Sequence, residues 1–192
     1  LDLGPIALGG LSMGGNIAIN LAIEHPEKVA ALVVADTGAG SDRTADWVAG
    51  AHRFAEVAEH DGVEAFADLA CANPLFSRYI AHEPDRGRFI RSCLTVHRAR
   101  GIAHTAREVL SKRPSLYSLE PQLRALRVPT LLIVGEHDDP CVDVHAFMAR
   151  TIPGARSVVL PGLGHLTNLE APDTFNALVR EFLDEVQPAT AT

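Results

Sequence analysis

Four residues could do chemistry together: Ser12, the adjacent pair Asp138 and Asp139, and His165. A serine hydroxyl is a weak nucleophile at its own pKa and needs a base. A histidine can take its proton and later return it to a leaving group, while a carboxylate holds the imidazole in the working tautomer. Ser12 lies in Gly10-Leu11-Ser12-Met13-Gly14, followed by Gly15. Gly-x-Ser-x-Gly is the spacing of a nucleophile elbow, a sharp strand-to-helix turn that holds its serine in a strained, left-handed conformation. Glycines two residues before and after the serine would remove the Cβ clashes that block such a turn. The pattern is short. Its weight depends on a strand before it, a helix after it, and an acid and a histidine in order later.

Those elements are readable along the chain. Pro5-Ile6-Ala7-Leu8 is an apolar run ended by glycines, as a buried strand requires. Met13 to His25 is apolar on most sides, with Asn16 and Asn20 on one face, which describes a largely covered helix stopped by Pro26. Val29 to Val34 is a second apolar strand. Strand, helix and strand within about thirty residues make a βαβ unit, hence a parallel sheet with a right-handed crossover. From about Ser41 to Arg113 the strand signal disappears, leaving several short helices broken at Gly62, Pro74, Pro84 and Gly101. Alternation then resumes: a helical piece at Gln122–Arg127, a strand at Val128–Val134 ended by Gly135, a helix at Val142–Thr151, a strand at Arg156–Leu160 and a helix at Ala171–Val186. The expected fold class is α/β: a partial doubly wound, mostly parallel sheet with a helical cap insertion. The expected domains are a core at 1–40 and 114–187, a cap at 41–113 and a disordered tail at 188–192.

In open parallel sheets, ligands bind outside the carboxyl ends of the strands. Ser12, the run Glu136-His137-Asp138-Asp139, and Gly164-His165 all follow predicted strands. Neither composition nor periodicity separates Asp138 from Asp139. Asp36 also ends a strand and reads as a turn former with Thr37 and Gly38. Of the nine histidines, only His165 follows the final strand in a Gly-x-Gly-His context. His137 reads as a loop residue, and His25, His52, His60, His82, His97, His104 and His145 as helix-surface or cap residues.

Three stretches carry a resemblance to a known family: Gly10-Leu11-Ser12-Met13-Gly14-Gly15, Val128-Pro129-Thr130-Leu131-Leu132-Ile133-Val134-Gly135-Glu136-His137-Asp138, and Pro161-Gly162-Leu163-Gly164-His165 with Asn168-Leu169-Glu170-Ala171-Pro172. The chain resembles an α/β-hydrolase of the capped esterase and lactonase branch, similar to 3-oxoadipate enol-lactonases. The resemblance covers the chain outside the cap. It implies Ser12 as nucleophile, His165 as general base and then acid, and Asp138 as orienting acid, its spacing from Gly135 favouring it over Asp139. It implies that the Met13 backbone N–H contributes to an oxyanion hole at a helix N-terminus. It also implies a cap that sets substrate choice, with Trp47, Phe54, Phe76 and Tyr79 as pocket candidates beside Phe66 and Phe89. Members of this family carry further strands before the elbow, and a His-Gly motif there supplies a second oxyanion donor. The sequence contains no His-Gly pair. The chain is therefore expected to be N-terminally truncated, with the elbow strand as an exposed apolar edge. Without the second donor, turnover should fall on the order of 100- to 1,000-fold. Carbon–carbon bond hydrolysis and ligand binding without catalysis share these motifs and stay open alternatives.

Composition narrows the remaining classes. The 192 residues suffice for a sizeable core, and 47% apolar with 21% charged content is that of a globular protein. A net charge of −7 argues against a nucleic-acid partner. Cys71, Cys93 and Cys141 are odd in number and widely spaced, so they form neither a disulfide framework nor a metal-binding pair, and a reducing, cytoplasmic compartment follows. No metal or organic cofactor is implied, no stretch approaches the roughly 20 apolar residues that span a bilayer, and the expected partner is a small ester or lactone. Arg and Lys between residues 43 and 113 number 11 of the chain's 17, against 9 acids. Arg78 or Arg98 could therefore pair with a substrate carboxylate.

Overall fold

A computed structural model of the chain describes residues 4–40 and 45–186. The chain divides into two compact units, Leu1–Ala39 with Leu116–Thr192, and Gly40–Ser115. The first unit opens with β1 (Ile6–Leu11), α1 (Met13–Glu24) and β2 (Val29–Ala35). The second holds α2 (Ala45–His60), α3 (Gly62–Cys71), α4 (Pro74–Ala81), α5 (Pro84–Thr95) and α6 (Ala99–His104). The first unit then continues with α7 (Glu120–Ala125), β3 (Thr130–Gly135), α8 (Asp139–Thr151), β4 (Arg156–Leu160), α9 (Thr167–Glu170) and α10 (Pro172–Val186). The expected tail at 188–192 lies outside the described residues.

The four strands form one parallel sheet in the order β1-β2-β3-β4. Both β2 and β3 read as continuous apolar runs because helices cover both faces of a parallel sheet. Alternation along each strand splits their side chains between two cores. Leu32, Val34 and Leu132 pack with Ile19 of α1 and Val144, Phe147 and Met148 of α8. Ala31, Val33, Leu131 and Ile133 point the other way, onto Phe182, Phe175 and Val179 of α10. At about 25 cal/mol per Å² of apolar surface removed from water, these two layers supply most of what holds the unit together.

The register brings the strand ends into line. Leu11 pairs with Ala35, Ala35 with Ile133, and Gly135 with Leu160. The residues that follow, Ser12, Asp36, Glu136 and Pro161, therefore emerge along one edge of the sheet. β1 is the terminal strand, and its outer side meets no other strand among the described residues. Leu8 to Leu11 and the α10 residues Phe175, Val179 and Leu183 line a groove of about 250 Å³ beside it. Ile6, in β1 itself, is an exposed apolar side chain of this edge strand.

The described residues of the second unit form helices and their connections, with no strand among them. Ala55, Ala103 and Ala106 form its small core with Phe54, since alanines let α2 and α6 approach closely. Asn73 caps α4 by accepting from Leu75 N at 3.0 Å, and Pro74 opens that helix where its missing N–H costs nothing. Gly62 opens α3 with φ 91°, as its reading as a breaker requires. Gly101 does not break a helix: it lies inside α6, which continues into a π-helical turn at Thr105–Leu110. A single interior glycine costs only about 1 kcal/mol, which packing of the flanking alanines outweighs.

Candidate functional site

Ser12 sits between β1 and α1 with φ 55° and ψ −117°, a conformation that costs a non-glycine residue of order 1–3 kcal/mol. The surroundings over-determine it. Its N–H donates to Ala35 O at 2.8 Å, and its carbonyl accepts from Asn16 N at 3.2 Å and from the Thr37 hydroxyl at 3.2 Å. A Cβ at Gly10 would collide with the backbone of Gly14, and one at Gly15 with the Thr37 hydroxyl. Gly14 itself faces open space. The close approaches that the turn needs are thus at Gly10 and Gly15, and Gly14 serves as the surface against which Gly10 packs.

His165 is buried in the loop after β4, between Gly164 and the short helix α9. Glu170 holds that loop by accepting from Gly164 N at 3.0 Å and Leu166 N at 3.2 Å. Gly135, at the end of β3, has no room for a Cβ because the Gly164 carbonyl lies against it. The loop is thereby pinned to the strand end that leads to Asp138. Asp138 is buried at the start of α8, while Asp139, its rival from the sequence, is exposed. His165 Nδ1 lies 2.9 Å from Asp138 Oδ2, and His165 Nε2 lies 3.0 Å from Ser12 Oγ. With Nδ1–H donating to the Asp138 carboxyl, Nε2 is the ring nitrogen that can accept from the Ser12 hydroxyl. Met13 is the first residue of α1, where a backbone N–H has no partner inside the helix and the dipole favours an anion.

Asp36 departs from its reading as a simple turn former. It has φ 47°, is fully buried and lies among the strand ends. Oδ1 accepts from Gly135 N at 3.1 Å, and Oδ2 accepts from Thr167 N at 3.2 Å and pairs with the Thr167 hydroxyl at 2.6 Å. One carboxyl group thus ties the turn that leads to Asp138 to the loop that carries His165. Burial pushes its pKa up to about 7 against the opposing hydrogen bonds from Thr167 and Gly135, and the nearby Asp138 carboxylate adds to the rise. The strand-end rule that singled out Ser12 applies equally to Asp36; what hid its burial was Thr167, far away in sequence. His145 also differs from its reading as a surface residue. It is buried in α8 with Nε2 2.8 Å from Ser157 Oγ, and burial holds its pKa below the usual histidine range.

The other sequence candidates lie in the second unit. The Trp47 indole N–H donates to Leu110 O at 2.8 Å, and Trp47 and Phe54 line a cavity of about 300 Å³ with Leu69 and Asn73. Phe54 meets Phe66 edge to face at 5.6 Å. Phe76 is half-buried, and Tyr79 is buried with the Arg86 guanidinium 4.7 Å from its ring centre. Phe89, Arg78 and Arg98 are exposed. Asp138, Cys141 and His165 bring a carboxylate, a thiol and an imidazole together, a trio that sequence spacing did not reveal.

A doubly wound parallel sheet with a strained serine, an acid and a histidine beyond the ends of β1, β3 and β4 defines an α/β hydrolase architecture. The sequence pattern of the alpha/beta hydrolase family matches residues 1–178, and the chain belongs to that family. The structure of MenH from S. aureus aligns with a TM-score of 0.85 and 26% identity, over 95% of this chain and 69% of that one. A thermophilic esterase from Thermogutta terrifontis aligns with a TM-score of 0.82 and 32% identity, over 95% of this chain and 66% of that one. 3-Oxoadipate enol-lactonase 2 of Acinetobacter baylyi is 28% identical over 172 residues, 88% of this chain and 60% of its own length. The chain thus spans between 60% and 69% of the length of these relatives. No helix among the described residues is long and apolar enough to cross a membrane.

Proposed function

We propose that the chain carries the catalytic centre of a serine hydrolase that cleaves a carboxylic ester or lactone. The observation that supports this most is the continuous relay from Ser12 Oγ through His165, at 3.0 Å, to Asp138, at 2.9 Å, with Ser12 held in a strained turn. The esterase and the enol-lactonase among its relatives support the choice of bond.

In this mechanism Ser12 Oγ attacks the carbonyl carbon as His165 Nε2 takes its proton. Asp138 holds the imidazole in the receptive tautomer and stabilises the imidazolium. The carbonyl oxygen becomes an oxyanion that accepts from the Met13 N–H, and each such donor is worth on the order of 100- to 1,000-fold in rate. The imidazolium returns its proton to the departing alkoxide, leaving an acyl-enzyme. In a lactone the alcohol stays attached to the acyl chain. Water, deprotonated by His165, then releases the acid and restores Ser12.

A fluorophosphonate probe tests the reading directly. Ser12 is expected to be the labelled residue, with no labelling in Ser12→Ala and a large fall in rate in His165→Ala. A folded protein that resists the probe and hydrolyses no ester or lactone would replace this reading with ligand binding without catalysis.

A further inference from the structure

Behind the imidazole, on the Asp138 side rather than the Ser12 side, three different ligand types converge. Cys141 lies in the first turn of α8, three residues after Asp138, with Sγ 3.8 Å from His165 Nδ1 and 3.4 Å from the Asp36 carbonyl. One carboxylate oxygen, the thiol sulfur and one ring nitrogen all lie within 4.8 Å of one another. All three residues are buried, at 2%, 2% and 6% exposure for Asp138, Cys141 and His165. A second observation concerns Asp138 alone. Its Oδ1 is buried without a hydrogen-bond partner among the described residues. A buried carboxylate oxygen left in this way carries a desolvation penalty, so it marks a place where a ligand would be stabilised.

We propose that Asp138, Cys141 and His165 form a site for a thiophilic divalent cation of the Zn²⁺ or Cd²⁺ type, and that its binding switches the catalytic relay off. Carboxylate, thiolate and imidazole together select such cations over Mg²⁺, which prefers oxygen alone. Zinc bonds of about 2.0–2.3 Å place tetrahedral ligands roughly 3.3–3.8 Å apart. The sulfur–nitrogen separation of 3.8 Å already fits. The oxygen–nitrogen separation of 2.9 Å must open by about half an ångström, or Oδ1 takes the bond instead.

Charge and protons balance simply. The cation binds the carboxylate, the thiolate and a neutral imidazole, so the filled site is formally neutral, as burial favours. The Cys141 thiol releases one proton to water. The imidazole keeps its single proton, which moves from Nδ1 to Nε2 so that the Nδ1 lone pair can bind the metal. Nε2–H then faces Ser12 as a donor and can no longer take the serine proton. The cation is an inhibitor here, not a cofactor. The inhibitory consequence rests on the hydrolase reading above, whereas binding itself does not.

The test uses the whole chain with Cys71→Ser and Cys93→Ser, which leaves Cys141 as the sole thiol. Titration with Cd²⁺ should produce a sulfur-to-cadmium charge-transfer band that saturates at one equivalent. The band should vanish in Cys141→Ala, with Cys141→Ser as the alternative should the first variant fold poorly. Asp138→Asn should keep the band but bind at least tenfold more weakly. Buffered Zn²⁺ should slow fluorophosphonate labelling of Ser12 at least tenfold, and Mg²⁺ should not. Against its own metal-free rate, Cys141→Ala should lose that effect. A folded parent that shows no band overturns the proposal, as does Zn²⁺ inhibition of equal size in Cys141→Ala. If Ser12 resists labelling without any metal, the hydrolase reading fails, while the cadmium band still decides the site.

Discussion

Replacing Asp36 with asparagine should make the protein's stability less sensitive to pH, in a direction that the structure fixes. The Asp36 pKa is raised from 3.8 to about 7 by burial. In the unfolded chain the carboxyl ionises near its ordinary value, so between about pH 4 and pH 7 the folded state holds one proton more than the unfolded state. Its contribution is therefore fully present below the unfolded pKa and is lost as pH rises towards the folded one. Each pH unit in that window removes about 1.4 kcal/mol, or about 4 kcal/mol across the whole of it. Asparagine does not titrate. Its carbonyl can accept from Gly135 N and its amide can donate to the Thr167 hydroxyl, but Thr167 N loses its acceptor, which costs a pH-independent amount of about 1–3 kcal/mol. Chemical denaturation of both proteins at about pH 5 and about pH 7.5 separates the two effects. The variant should gain roughly 3 kcal/mol on the parent between those conditions, whatever the constant offset. A gap that stays constant, or one that widens against the variant as pH rises, would refute the assignment of a neutral, buried Asp36.

Three other outcomes test the geometry. Asp138→Asn should lower kcat by about 10⁴-fold with little loss of fold, since the imidazole loses its working tautomer. Asp139→Asn, at an exposed position, should leave both kcat and stability nearly unchanged in the same ester assay. Gly15→Ala forces a methyl against the Thr37 hydroxyl and should cost about 1–3 kcal/mol, read as a fall in Tm, whereas Gly50→Ala, in open space inside α2, should gain about 0.5–1 kcal/mol.

The strands, and the strand-end positions of Ser12 and His165, were readable because local physics dictates them. Leu131 to Val134 had to be buried on both sides, and an apolar run between breakers says so without any knowledge of partners. Ser12 and His165 announced themselves through glycines that permit tight approach. Features that depend on residues far apart were not readable. Asp36 looks like the start of a turn until Thr167 and Gly135, 131 and 99 residues away, are seen to bind its carboxyl. The helix α9 has only four residues and owes its place to contacts such as the one from Thr167 to Asp36, so it has no periodicity to detect. Asp138 and Asp139 are neighbours in sequence, and only the start of α8 sends one inward and leaves the other in solvent.

The contact between Ser12 and His165 joins residues 153 positions apart. Synthesis delivers the serine before the histidine, with the second unit made in between. Until β4 has docked and its following loop has closed, Ser12 is an ordinary alcohol. On the serine-hydrolase reading, a growing chain therefore carries no activated Ser12 until its last strand is in place. On that reading, covalent labelling of Ser12 would count completed folds.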